Sequence, residues 1–303
     1  SVFRWIGRVS ALSDLPALIV GETGTGKELV AFAIHQLDSK RSRGSFVAVN
    51  CAAIDPQLAE SELFGHRRGA FTGAGRDRKG LVRSADGGVL FLDEVGELSG
   101  ELQAKLLRVI QQGRVLGVGE DREVPVDVRI VAATNRDLER MVREGRYRED
   151  LFHRLNVLPV RIPPLRERQE DLRPMIEHFI ARYSSLVSPR VASASRDFVD
   201  ALSWMPLTGN ARQLENIVRW ALVRKVDDTP LNLADLPSNV WQELSIQAGR
   251  VAATSSSIGG ATPHLSESFE DVRANNGGSL LLSLARYERQ LLESTLQRTH
   301  GNR

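Results

Sequence analysis

The sequence predicts an α/β fold: a parallel sheet flanked by helices, followed by a smaller α-helical subdomain. Three observations predict it. Apolar runs at 17–20, 46–49, 89–92, 129–133 and 158–162 read as short strands, with helix-favouring stretches between several of them. The segment Gly21-Glu22-Thr23-Gly24-Thr25-Gly26-Lys27 stands between the first run and a helical stretch at 28–37. Past Pro163-Pro164 the pattern changes, and 171–186, 194–204 and 211–226 read as helices.

The glycine segment organises the rest. It has the spacing G-x-x-x-x-G-K in a strand–loop–helix setting, which is what a phosphate-binding loop requires. Gly21, Gly24 and Gly26 let successive backbone N–H groups face inward. The helix N-terminus adds partial positive charge and Lys27 a full one.

The remaining elements follow in chain order. Residues 1–16 read as the end of a helix and a loop. The strand Phe46–Asn50 ends in a polar residue, at the end that faces ligand in parallel sheets. A short helix is expected at 58–64. The stretch His66–Arg76 has three glycines and small residues around Phe71, with arginines on both sides; it reads as a mobile tip presenting that ring, or else as a tight turn with the ring folded back. Val89–Leu92 runs into Asp93-Glu94. Downstream of a phosphate loop, Asp93 is placed to hold Mg²⁺, directly or through water, and Glu94 to polarise an attacking water. A solvated acidic turn is the plainer alternative.

Ser99 is expected to cap a helix running to about Gln112, with Leu102, Leu106, Val109 and Ile110 on one face. Residues 113–127 look like a β-excursion. Thr134-Asn135 follow the strand at 129–133, where they reach a bound nucleotide or, in the plainer reading, cap a helix. Arg148 and Arg154 are six residues apart and cannot stack on one helix face, so one of them should point away from the local surface. The plainer reading is an ion pair with Glu149 or Asp150. Asn210 is expected to cap the third helix of the second region, with Arg212 in its first turn. Residues 245–279 are rich in Ser, Gly, Ala and Asn and read as a flexible linker, and 284–297 resume an amphipathic helix that looks cut short at Arg303.

Composition bounds the function class. Hydrophobic residues make up 42% of the 303 and charged residues 26%, the balance of a soluble globular chain. No apolar run has membrane-spanning length and the start has no signal-peptide shape, so a membrane partner is not expected. Cys51 is the only cysteine, which excludes an intrachain disulfide and a cysteine metal cluster and suits a reducing cytoplasm. The six histidines show no ligand spacing. A formal charge of +2 allows contact with nucleic acid without arguing for it.

Taken together, the motifs carry a resemblance. Gly69-Ala70-Phe71-Thr72-Gly73-Ala74, the phosphate loop with Glu28, Glu60-Ser61-Glu62-Leu63-Phe64-Gly65-His66, Leu151–Asn156 and Pro163–Arg168 resemble the central AAA+ ATPase domain of bacterial enhancer-binding proteins, activators of sigma-54 RNA polymerase. The resemblance covers roughly residues 5–240. It implies an AAA+ P-loop subdomain at 1–165, an α-helical lid at 166–242, a linker at 243–280 and the start of a Fis-type helix-turn-helix domain at 281–303. It implies ATP and Mg²⁺ as cofactors. Lys27 matches the Walker A lysine, Asp93 and Glu94 the Walker B pair, and Asn50 a residue that switches Glu94 between held and poised states. Asn135 with Thr134 matches sensor I, Arg148 and Arg154 the arginine fingers reaching a neighbouring subunit's nucleotide, and Arg212 sensor II. Phe71 and Thr72 match the tip that touches the sigma factor.

The implied partners are the sigma-54 holoenzyme, further copies of the chain in a hexameric or heptameric ring, and enhancer DNA through the C-terminal domain of the full-length protein. The rival expectations are another AAA+ remodelling machine and a DNA-binding regulator using ATP only to assemble. Two departures stand out. Residue 28 is Glu where many phosphate loops place a Mg²⁺-ligating Ser or Thr, and Trp204–Asn210 is longer than the family's usual Trp-Pro-Gly-Asn before Arg212.

Overall fold

The structure, a computed structural model, describes residues 2–244 and 246. The expected amphipathic stretch at 284–297, and all but the first residues of the linker, lie outside the described residues. The chain divides after Pro164 into two compact units.

The first unit holds strands β1 (Ala17–Val20), β2 (Phe46–Asn50), β3 (Val89–Asp93), β4 (Arg114–Val115), β5 (Val124–Pro125), β6 (Arg129–Thr134) and β7 (Leu158–Arg161). Its helices are α1 (Val2–Ser10), α2 (Lys27–Leu37), α3 (Ala59–Phe64), α4 (Leu81–Ser84), α5 (Gly100–Gln112), α6 (Leu138–Arg143) and α7 (Glu149–Leu155). Five strands form one sheet in the order β2-β3-β6-β1-β7, all parallel, while β4 and β5 make a separate antiparallel pair. The register sets Asn50 beside Asp93 and Val20 beside Thr134, so the polar strand ends converge at one edge.

The apolar runs follow from burial on both sheet faces. Leu18, Leu90, Leu92, Ile130 and Ala132 pack towards Leu102, Leu106 and Leu151 of α5 and α7. Their neighbours in sequence, Ile19, Val89, Phe91, Val131 and Ala133, pack on the other face with Ile6, Ala31 and Ile34 of α1 and α2. Helix ends obey local chemistry. The Ser99 hydroxyl accepts from Leu102 N–H to start α5, and Gly113 at φ 61° ends it. Asp137 caps α6, so Asn135 is not a helix cap.

Away from the strand ends that carry the site, a buried arginine ties the first unit together. Arg129 Nη1 pairs with Asp38 at 2.8 Å, and both side chains are fully buried. Arg129 also donates to the Val9 and Leu15 carbonyls, at 2.7 and 3.1 Å, around the C-terminal end of α1. One guanidinium thus joins α1, the end of α2 and the start of β6.

The second unit contains α8 (Leu172–Tyr183), α9 (Arg196–Ser203) and α10 (Asn210–Arg224) around Ile176, Phe198, Leu202, Leu214 and Val218. Asn210 does not cap α10 as expected. Its backbone is left-handed at φ 51°, which turns the carboxamide aside to accept from Leu165 N–H at 2.7 Å. Gly209 is the cap residue, and the Gln213 side chain reaches back to its N–H at 2.9 Å. The extra length at 204–210 is absorbed by a turn at Leu207, φ 40°, with Met205 and Leu207 buried.

Candidate functional site

The phosphate loop leaves β1 at Val20. Its path needs glycine at Gly24 and Gly26, whose φ values are 78° and 95°. Gly21 is fixed by closeness: a Cβ there would lie 2.9 Å from Thr25 Oγ1 and 3.1 Å from the Ile162 carbonyl. The Thr25 hydroxyl donates to the Glu22 carbonyl at 2.8 Å and braces the turn. Gly26 precedes α2 without a side-chain cap, so the first N–H groups of that helix face the loop.

Lys27 opens α2 and is buried. Its ammonium donates to the Gly21 carbonyl at 3.1 Å and lies 3.4 Å from Glu94 Oε1. Glu94 follows β3 in the left-handed region, φ 52° and ψ 49°, a conformation that a glutamate adopts only at a cost. The backbone there aims its carboxylate across the strand ends, where Oε2 accepts from Asn135 N–H at 3.2 Å. The Asn135 carboxamide donates to Thr23 Oγ1 at 2.9 Å. Asn135 therefore links the phosphate loop to the carboxylate pair, with Thr23 as its anchor, a contact no local pattern in the sequence discloses. Thr134 meets the loop through its backbone, its carbonyl accepting from Gly21 N–H at 3.2 Å, while its hydroxyl is turned away. It is the buried last residue of β6, and its hydroxyl accepts from Arg136 N–H at 3.0 Å.

Asp93 sits at the end of β3, half-buried. Burial, then the Glu94 charge, raises its carboxyl above the ordinary range despite Lys27. Its Oδ1 accepts from Glu94 N–H at 3.0 Å. Among the described residues no group of three or more His, Cys, Asp or Glu side chains could hold a metal ion. The donor set is one under-compensated carboxylate beside a phosphate loop, which suits a Mg²⁺ ion held mostly by phosphate oxygens and water. Glu28 is exposed in the first turn of α2.

The other expected residues are placed less simply. Asn50 stands beside Asp93 in register, yet its carboxamide accepts from Ala52 N–H at 2.9 Å, within its own turn. Arg148 immediately precedes α7, and its guanidinium forks onto Asp150 at 3.0 and 2.7 Å in solvent. Arg154 lies exposed in the last turn of α7. Among the described residues neither arginine bonds the phosphate loop or the Asp93–Glu94 pair of its own chain. Arg212 is exposed in the first turn of α10, in the second unit.

The glycine-rich stretch folds as a hydrogen-bonded turn. Gly69 N–H donates to the Ala74 carbonyl at 2.9 Å and Ala74 N–H to the Phe71 carbonyl at 3.0 Å. Gly69 and Gly73 have φ 81° and 102°, with open space around each. Phe71 is 36% exposed, and its ring meets the buried His66 edge-on at 5.0 Å. Neither sequence reading holds in full. The ring keeps one face in solvent and rests its edge on the loop's base. Thr72 is exposed beside it.

A glycine loop on a helix N-terminus, a buried lysine and a strand-end carboxylate pair, set on a five-stranded parallel sheet, define an AAA+ P-loop fold. Comparison with known proteins carries this further. Residues 2–161 match the sigma-54 interaction domain, and residues 166–252 match an AAA+ ATPase lid domain. The chain belongs to the sigma-54 interaction domain family. The DNA-binding transcriptional regulator NtrC of Escherichia coli K12 is 43% identical over 304 residues, covering 100% of this chain and 63% of the relative. The Nif-specific regulatory protein of Klebsiella pneumoniae is 51% identical over 210 residues, 69% of this chain and 40% of that protein. Among solved structures, NtrX from Brucella abortus superposes with TM-score 0.72 at 34% identity, over 86% of this chain and 61% of that one. The same protein in complex with ATP gives TM-score 0.71 at 35% identity, over 86% of this chain and 61% of that one. The chain thus spans somewhat under two thirds of the length of these regulators.

Proposed function

We propose that the chain hydrolyses ATP and uses the cycle to remodel sigma-54 RNA polymerase holoenzyme, so that a promoter opens. One observation carries the reading: Lys27, Glu94, Asn135 and Thr23 form a connected set at the strand ends, and the Phe71 loop lies on the path into the strand that bears Asp93 and Glu94. The loop N–H groups and Lys27 bind the phosphates. Asp93 would hold Mg²⁺, and a bound ion would supply neutralisation of phosphate charge. Glu94 orients the attacking water, and Asn135 keeps that carboxylate in register with the loop.

The Lys27 ammonium and the Glu94 carboxylate stand 3.4 Å apart. Phosphate oxygens would compete for the ammonium and free the carboxylate. Asn50, next to Asp93, is the residue best placed to receive it. Arg148 and Arg154 complete a neighbour's site in a hexameric or heptameric ring. Exposed ion pairs contribute little, so the pair with Asp150 yields readily when Arg148 turns to a phosphate. Fingers of this kind are worth about 10³–10⁵ in rate. Arg212 acts as sensor II. Gly69 to Ala74 contacts the sigma factor through Phe71 and Thr72. Enhancer DNA is bound through the C-terminal domain of the full-length protein, and the work is done in the cytoplasm. The described residues include no helix long and apolar enough to cross a membrane.

The test is promoter opening with sigma-54 holoenzyme. Phe71→Ala should leave ATP hydrolysis within about threefold and reduce opening by about tenfold or more. Opening that survives Phe71→Ala would return the chain to the class of other remodelling ATPases, and opening that survives loss of hydrolysis would mark it as a regulator using ATP for assembly alone.

A further inference from the structure

Some ion pairs of the first unit serve neither the nucleotide site nor the core. One joins Arg83 of α4 to Glu120 in the excursion between β4 and β5. Arg83 Nη1 donates to Glu120 Oε1 at 2.8 Å and Nη2 to Oε2, with side-chain exposures of 13% and 16%. Glu120 Oε2 also accepts from Gly117 N–H at 3.1 Å. The Arg83 guanidinium holds the Glu120 carboxyl below the usual range. Arg83 Nε is buried without a partner.

The excursion touches the Phe71 loop directly. Arg67 N–H donates to the Val118 carbonyl at 3.0 Å and Val118 N–H to the Gly65 carbonyl at 2.9 Å. A Cβ on Gly119 would lie 2.9 Å from Ala70 Cβ. Val118 and Glu120 are two residues apart, so what holds Glu120 also holds the stretch on which the loop's base rests. At the other end, the two partners lead into the site. Arg83 precedes β3, which ends at Asp93, and the excursion leads into β6, which is followed by Asn135. Their roots are joined as well, with Gly87 N–H on the Asp127 carbonyl at 2.9 Å.

We propose that the Arg83–Glu120 pair is the crossbeam that transmits a change at the nucleotide-facing ends of β3 and β6 to the Phe71 loop. Both are positioning residues, and neither touches the site. The pair is bidentate, so it constrains the angle between α4 and the excursion as well as their distance. With the pair broken, the two strands still serve the nucleotide while the excursion under the loop's base loses its side-chain tie to α4.

The inference rests on the function proposed above, but its test does not need the sigma factor. A fluorophore on Thr72→Cys reports the loop. Cys51 will not compete for the label, because burial pushes its thiol up to about 12. The probe nucleotide is ATPγS with Mg²⁺, added to the 303-residue chain, with thermal melting followed in parallel. In the parent background the emission should shift on binding. Glu120→Gln, which keeps the volume, should bind ATPγS within about threefold of the parent but lose most of the shift, and Arg83→Glu with Glu120→Arg together should restore it by about tenfold over either single change, as coupled neighbours do. A label shift that survives Glu120→Gln and Arg83→Gln overturns the crossbeam, as does a folded double exchange that restores nothing, or a parent whose loop ignores nucleotide. A parent whose loop responds but which never opens a promoter counts against the function reading alone.

Discussion

Glu94 is the residue on which most depends, and its backbone says so. A glutamate at φ 52° is held there by the sheet edge, because a strand continuing in the β region would send its side chain away from Lys27. Glu94→Gln keeps shape and hydrogen bonding but cannot polarise water. It should lower ATP hydrolysis by about 10²–10⁴ with nucleotide binding retained, as equilibrium binding beside a turnover assay will report. Asp93 is strained electrostatically, since burial and the Glu94 charge both raise its carboxyl. Asp93→Asn should therefore raise the melting temperature of the nucleotide-free protein while weakening the gain that Mg²⁺ adds to ATP binding. Asp93 and Glu94 were legible in the sequence because they close an apolar run, where position alone implies direction, and Lys27 because it closes the glycine spacing between a strand and a helix. Asn50 and Asn210 were not. Each side chain is turned by its local backbone towards a nearby N–H, and backbone angles of single residues leave no trace in a hydrophobic pattern.

At the scale of elements, the strands and the long helices were legible to within a residue or two, and the helix start at Ser99 was legible from its cap. The glycine stretch at 69–74 was legible as a tip but not in its support, since that support comes from His66, Val118 and Glu120, and Val118 and Glu120 lie some fifty residues along the chain. Arg129 was read only as the start of a strand. Its role as a buried staple depends on Asp38, ninety-one residues away. Arg129→Met should destabilise the first unit by about 3–5 kcal/mol in denaturant titration, because Asp38 would be left charged and buried. The pH response follows from the same pair. Burial alone would raise the Asp38 carboxyl, but the Ser13 hydroxyl, Arg129 and two backbone N–H groups hold it below its ordinary value. A carboxylate with a depressed folded value stabilises fully above its unfolded value, about 3.9, and loses that contribution as pH falls through the folded one. Acid unfolding of Asp38→Asn should accordingly show a shallower loss of stability below about pH 4 than the parent, starting from a lower value at neutral pH.

At the scale of the whole molecule, the proposed site is completed by a second copy of the chain. Arg148 and Arg154 lie in solvent at the two ends of a seven-residue helix, with no bond to their own phosphate loop. Specific activity should thus rise with protein concentration until assembly is complete, which turnover measured beside sizing will show. Mixing two inactive variants tests the claim most directly. Glu94→Gln lacks the water-activating carboxylate but keeps Arg148, and Arg148→Ala keeps Glu94 but lacks the finger. Each alone should hydrolyse ATP poorly. In an equimolar mixture of subunits, roughly a quarter of the junctions join an intact Glu94 to an intact Arg148, and hydrolysis should return in about that proportion. A mixture no more active than the sum of its parts would contradict a site shared between neighbours.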